Sequence, residues 1–167
     1  MKNSFGPRSR FTLARAVALA AGLAVFGWVY WTGHDIGVQT ERAELIAAIW
    51  RHVGHGVVLA PALIAYLWFR FRDVRSGETR PVSRALFGLM ALSIVFLIVS
   101  GPIVVWTYGA DLKIFDWVVI PGPVGDTPWL HDPLEAAHVL IAKATPYLIL
   151  ADAAAWMTAL ARKRASA

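Results

Sequence analysis

Residues 45–70 read LIAAIWRHVGHGVVLAPALIAYLWFR, an apolar stretch with a single charged residue before its terminal arginine. A helix of this length extends about 39 Å, which is enough to cross the roughly 30 Å hydrocarbon core of a bilayer. Two histidines, His52 and His55, nevertheless lie inside the stretch. The stretch therefore predicts a membrane-spanning helix in which ionisable side chains have a specific use.

Three further apolar stretches accompany it, and the four together occupy residues 16–32, 45–70, 85–108 and 134–160. With 57% hydrophobic and 16% charged residues, the composition is typical of a membrane protein. The first stretch follows basic residues, as in a signal peptide, but it is longer than a signal h-region and lacks a clear cleavage site, so we interpret it as a retained helix. We expect one membrane domain, residues 1–167, folded as an all-α, integral membrane four-helix bundle.

The basic residues predict the orientation of this bundle, because twelve of the sixteen flank the spans on one side. These twelve are Lys2, Arg8, Arg10, Arg15, Arg70, Arg72, Arg75, Arg80, Arg84, Arg162, Lys163 and Arg164. The other two connections carry Asp35, Glu41, Glu44, Asp111, Asp116, Asp126, Asp132 and Glu135 against Arg42 and Lys113. The positive-inside rule then places both termini in the cytoplasm, N-in/C-in. The net charge of +5 is explained by the lipid bilayer and requires no nucleic acid.

The outer connection, residues 109–133, contains the segment IPGPVGD at 120–126, which favours turns over a helix. Four aromatic residues lie on either side of the segment 120–126, namely Trp106, Tyr108, Trp117 and Trp129. Such placement is typical of an aromatic belt at the membrane interface.

Five histidines divide by their position relative to the spans. His34 is expected to be solvated in an outer connection, and His131 to lie at the mouth of the fourth span. His52, His55 and His138 fall inside spans, where an ionisable side chain is costly and usually faces the bundle interior.

His52 and His138 are expected at similar depth, because the second and fourth spans both run from outside to inside. Two imidazoles facing each other from two helices can ligate a haem iron on both axial faces. Gly54 and Gly56 would let a flat macrocycle approach the helix backbone. The same two histidines can instead hydrogen-bond across helices, as polar residues in membranes commonly do.

Other metal sites fit the sequence less well. The chain has no cysteine, which excludes cysteine-bound iron–sulfur clusters and covalent c-type haem. Zinc favours three or four protein ligands. Copper is left open, although Met1, Met90 and Met157 lie away from the histidines along the chain.

The chain resembles the bacterial cytochrome b561 family over nearly its whole length. The resemblance rests on His52 and Gly56 at the start of the second span, Arg70 at its far end, the Ser100–Gly101 step and His138. It implies a four-helix b-type cytochrome of the bacterial inner (cytoplasmic) membrane, with haem b bound by His52 and His138. It also implies quinone or quinol, and another membrane or periplasmic redox protein, as partners.

The family holds a second haem through a histidine in the first helix and one fourteen residues after the first helix-four histidine. Here the first span has no histidine, and fourteen residues beyond His138 stands Asp152. That spacing brings Asp152 within about 40° of the same helix face, about 21 Å further along. We therefore expect a single haem on the outer half, which exchanges electrons on that side only.

His55 and His131 are predicted neighbours of the cofactor. His55 lies one helical turn from His52, so it can replace His52 as a ligand or lie beside the ring. His131 precedes His138 by seven residues on the same face, where it can hydrogen-bond a haem propionate or remain solvated.

Two more ionisable residues lie in the fourth span, where function is the default hypothesis. Lys143 is expected to reach a cofactor, a quinone oxygen or a neighbouring subunit. Asp152 is expected either to relay protons or to pair with a basic residue such as Arg15.

Together these features predict a membrane b-type cytochrome that carries electrons through one bis-histidine haem between quinol and a periplasmic or membrane partner. It would be an electron-transfer protein, or a subunit of an oxidoreductase complex, and not a stand-alone enzyme. The alternative is an accessory or structural subunit of a larger membrane electron-transfer complex, with haem partly or wholly lost.

Overall fold

A computed structural model describes residues 7–75, 81–115 and 117–165 of the chain. Its elements are α1 (Pro7–Ile36), α2 (Arg42–Arg75), α3 (Pro81–Thr107), β1 (Leu112–Ile114), β2 (Val118–Ile120) and α4 (Pro128–Ala165). The helical fold expected from the apolar stretches is confirmed. Lys2, Arg80 and Asp116, which entered the charge pattern, lie outside the described residues.

Consecutive helices pack against one another, α1 on α2, α2 on α3 and α3 on α4. Neighbouring helices run in opposite directions, since Gly33 and Gly22 of α1 lie against His52 and Tyr66 of α2. Tyr66 and Arg70 of α2 contact Met90 and Phe87 of α3, and Ser100 and Thr107 of α3 contact His138 and His131 of α4. Prolines occupy the first position of α3 and of α4, where the missing N–H costs no helical hydrogen bond.

Within the described residues, three helices are long and apolar enough to cross a membrane, over Arg42–Arg72, Pro81–Thr107 and Pro128–Thr158. Only 17% to 22% of their apolar windows is buried inside the molecule. Soluble monomers rarely expose apolar surface on this scale. The chain is therefore a multi-pass membrane protein whose helices contact lipid.

A core of buried apolar side chains lies near the end of α2 and the start of α3. Six buried side chains form this core: Leu63, Tyr66, Phe87, Met90, Ile94 and Ile149. They come from α2, α3 and α4, and partly buried Val25 and Phe26 of α1 pack against them.

The connection between α3 and α4 is non-helical at residues 121–127, as the sequence predicts, but it also contains a hairpin that the sequence does not predict. β1 and β2 pair as an antiparallel hairpin with Leu112 opposite Ile120, favoured by the β-branched run Val118–Ile120. The fourth helix begins at Pro128, six residues before the predicted start at 134. The first helix also extends further than expected, so His34 lies in its last turn and not in a connection.

Candidate metal centre

His52 of α2 and His138 of α4 face each other across the bundle. Their ring centroids are 6.5 Å apart and the ring planes are nearly perpendicular, at 84°. Both side chains are partly buried. The structure thus brings together the two histidines that the sequence singled out.

The Nδ1 atom of His52 lies 3.1 Å from the carbonyl oxygen of Val29 and 3.1 Å from Oγ1 of Thr32, both on α1. Thr32 donates its own hydroxyl proton to the Val29 carbonyl at 2.8 Å. A hydroxyl has only one proton to give, so Oγ1 of Thr32 accepts from His52. Both partners of Nδ1 are then acceptors, which places the proton on Nδ1 and the lone pair on Nε2.

His138 has a matching arrangement on the other side. Its Nδ1 lies 2.7 Å from Oγ of Ser100, which is buried on α3. When Nδ1–H donates to this hydroxyl, Nε2 carries the lone pair. Metal-ligating histidines commonly donate their second ring N–H in this way, which fixes the ring and raises its basicity.

The separation of the two rings suits a shared metal ion. Ring bonds of about 1.33 Å place each nitrogen about 1.1 Å from its centroid. Metal–nitrogen bonds of about 2.0–2.1 Å then give centroids roughly 6.2–6.4 Å apart for two imidazoles bound on opposite sides of one ion. The observed 6.5 Å agrees with that value.

No family model, curated protein or solved structure matches this chain. Its own geometry is thus what supports a function. In the described part of the chain there is no group of three or more His, Asp or Glu side chains placed to hold a metal ion. Two histidines alone would leave a metal ion short of ligands, which a macrocycle would supply.

Two glycines lie against the paired rings, one beside each histidine. A Cβ at Gly33 would come within 3.0 Å of the His52 ring, and one at Gly101 within 3.6 Å of the His138 ring. Sequence reasoning used Gly101 only as part of the family resemblance and did not single out Gly33. The 19-residue spacing from Gly33 to His52 offers no local pattern that would have revealed this contact.

The predicted glycines of α2 have other surroundings. A Cβ at Gly54 would lie 3.0 Å from the ring of Phe115, in the turn between β1 and β2, whereas one at Gly56 would meet nothing within 4 Å. Phe115 itself has φ of 51°, a left-handed conformation that non-glycine residues seldom adopt. The absence of a side chain at Gly54 therefore lets the hairpin pack against α2.

His55 belongs to this hairpin contact and not to the facing pair. Its Nδ1 bonds the carbonyl of Arg51 at 2.7 Å. Its ring lies edge-on to Trp28 and Phe115, at centroid distances of 5.6 Å and 5.1 Å. Of the two histidines in α2, His52 is the one that faces His138.

His131 has surroundings like those of His138 and lies seven residues nearer the start of α4. Its Nδ1 lies 3.3 Å from Oγ1 of Thr107 and 3.1 Å from the carbonyl of Val104. Its Nε2 is 3.6 Å from the carboxylate of Glu135. Seven residues separate Ser100 from Thr107 and His131 from His138, so hydroxyl–histidine contacts recur along the α3–α4 interface.

Asp152 of α4 pairs with Arg70 near the end of α2. Nη2 of Arg70 lies 2.7 Å from Oδ1, Nε lies 3.0 Å from Oδ2, and the two side chains are 2% and 0% exposed. The guanidinium also lies 5.9 Å from the Phe87 ring centroid. Asp152 thus has a basic partner as expected, but that partner comes from α2, while the side chain of Arg15 lies outside the described residues.

Lys143 stands apart from the histidine pair. It lies on the exposed face of α4 with Leu140 and Tyr147, which are 69% and 74% exposed. Five residues from His138 turn the helix by about 140°, so the lysine points away from the paired rings.

Proposed function

We propose that this chain is a membrane b-type cytochrome that holds one haem between His52 and His138 and carries electrons through it. The observation that supports this most directly is the facing pair with both Nδ1 atoms engaged by α1 and α3. This leaves Nε2 of each histidine as the nitrogen available to a metal. Such axial ligation is standard for b-type haem, as is a site between facing helices.

Bound haem would supply a one-electron couple, Fe(III) to Fe(II). The residues of this chain set its properties: Val29, Thr32 and Ser100 fix the ring positions, and the apolar helices around them limit water. These hydrogen bonds and the dry surroundings are the levers by which a protein adjusts a redox potential.

The proposal includes four spans with both termini in the cytoplasm of a bacterial inner membrane. Support comes from the 30-residue length of α1 and from basic residues at the shared end of α2 and α3. The histidine pair would then lie in the outer half. Membership of the cytochrome b561 family, quinol as donor and a periplasmic or membrane acceptor belong to the same proposal.

One haem in place of two is supported by Arg70 and Asp152. Asp152 stands where the family has a ligand, and its carboxylate is bonded to the guanidinium. The core formed by Tyr66, Phe87 and their neighbours occupies the adjoining space.

The experiment is a dithionite-reduced minus oxidised spectrum of the full chain purified in mild detergent, with haem quantified against protein. We expect a b-type α band and about one haem per chain. His52→Ala and His138→Ala should each abolish the band, whereas His34→Ala and His55→Ala should retain it. Absence of the band in the wild type, or full haem in His138→Ala, would overturn the proposal.

A role as a subunit of a larger membrane complex is favoured by Lys143. An ionisable side chain on a lipid-facing surface is expensive and usually indicates a partner. If the chain serves only for assembly, His52→Ala should leave the size of the complex solubilised from native membranes unchanged, while Lys143→Leu should reduce it.

A further inference from the structure

The last turns of α2 carry a groove of about 470 Å³ lined by Trp68, Phe71, Arg72 and Arg75. The four residues follow the spacing i, i+3, i+4, i+7 and so share one helix face. All four are exposed, Trp68 by 59% and Phe71 by 44%. Arg70, between them in sequence, points inward to Asp152, so the groove lies on the outside of the bundle.

The groove lies where the span meets the membrane interface. The apolar run of α2 ends at Phe69, and charged residues follow it up to Arg75, the last residue of the helix. The aromatic residues are therefore at the depth of the glycerol and upper acyl chains, and the guanidinium groups reach the headgroups. This placement holds whichever side of the membrane the end of α2 faces.

We propose that this groove binds an acidic phospholipid. Guanidinium groups recognise phosphate by paired, charge-assisted hydrogen bonds. The exposed rings of Trp68 and Phe71 offer apolar contact for the chains, which a free phosphate ion lacks.

The magnitude follows from the two charges. Each basic residue near a membrane surface contributes about fivefold to the affinity for acidic lipid, so the pair contributes roughly 30-fold. Phosphatidylcholine, which has a phosphate but no net charge, should gain little from the same groove.

The test is native mass spectrometry of the delipidated full chain, titrated with phosphatidylglycerol or phosphatidylcholine of identical acyl chains. We expect wild type to retain phosphatidylglycerol more tightly, by at least tenfold. The double variant Arg72→Gln/Arg75→Gln should lose this preference. The matched control is Arg84→Gln, which removes an exposed charge from the first turn of α3, at the same end of the bundle as the groove. This variant should keep the preference for phosphatidylglycerol.

Two further arms separate the explanations. Arg72→Lys/Arg75→Lys retains the charge but not the paired guanidinium hydrogen bonds, so it should keep only part of the preference, and circular dichroism of each variant verifies that the helices are intact. Equal loss in Arg84→Gln would overturn the proposal, because the effect would then not arise from the charges of this groove. Displacement of the lipid by millimolar inorganic phosphate would overturn it too, since a simple anion site would suffice.

Discussion

Replacing Asp152 with alanine should strongly destabilise the bundle, because it removes the carboxylate that makes three hydrogen bonds to the buried guanidinium of Arg70. The two side chains share three hydrogen bonds of 2.7 to 3.0 Å and are 2% and 0% exposed. Removing one partner of such a buried pair costs about 3–5 kcal/mol. Exposed ion pairs contribute only about 0–1 kcal/mol to stability. Arg51→Ala breaks the exposed pair with Asp35 and is therefore the control.

The assay is reversible unfolding in mixed micelles of mild detergent and dodecyl sulfate, followed by far-UV circular dichroism. The double variant Arg70→Met/Asp152→Leu should recover much of the loss, because apolar residues of similar volume commonly substitute for a buried pair. A loss below about 1 kcal/mol for Asp152→Ala would refute the reasoning, since it would mean that water reaches the guanidinium. A double variant as unstable as the single one would assign the cost to packing and not to charge.

Ser100→Ala should weaken haem binding by about 10–100-fold, the usual effect of removing the hydrogen bond behind a metal ligand. Thr32→Val should weaken haem binding less, because the Val29 carbonyl still accepts a hydrogen bond from His52. Competition with apo-myoglobin for haem measures the affinity of both variants. A larger effect for Thr32→Val would contradict the assigned donors. Gly54→Ala should displace Phe115 and the hairpin, since the added methyl group would lie 3.0 Å from the ring. Protease cleavage in residues 109–127 should then accelerate, while Gly56→Ala, whose Cβ meets nothing within 4 Å, should cleave at the wild-type rate.

The sequence predicts the pairing of His52 with His138 because two simple features determine it. Alternate spans run in the same direction, and both histidines occur early in their spans. Their depth therefore follows from topology, without knowledge of any side-chain contact. The fourteen-residue step to Asp152 works for the same reason, because helical periodicity places it on the bundle-facing side.

The partners of these residues could not be read from the sequence in the same way. Thr32 and Ser100 lie within helices, where hydroxyl groups ordinarily bond their own backbone. Nothing in the sequence distinguishes a hydroxyl that also receives a histidine proton. The choice of Arg70 as the partner of Asp152 depends on how α2 rotates toward α4, which charge placement alone does not determine.

The hairpin of β1 and β2 was not predicted from the sequence, because it too depends on tertiary contacts. Its strands are only three residues long, and the contact of Phe115 with Gly54 depends on a left-handed backbone at a non-glycine residue. Sequence propensity argues against that conformation. The groove at the end of α2 was not predicted either, because its two arginines were counted only as basic flanks of a span.

The two halves of the bundle differ in a way that restricts the proposed electron transfer. Asp152 lies about 21 Å from His138 along α4, and the space around it is occupied by the pair with Arg70 and by the core of Tyr66, Phe87 and their neighbours. A redox partner at the end of the bundle where α2 finishes would face this core, whereas one at the hairpin end would lie nearer the histidine pair. If the chain carries one haem, donor and acceptor must both approach on the outer side, or a second protein must complete the path through the membrane. The exposed Lys143 on α4 provides a surface on which such a protein can be sought.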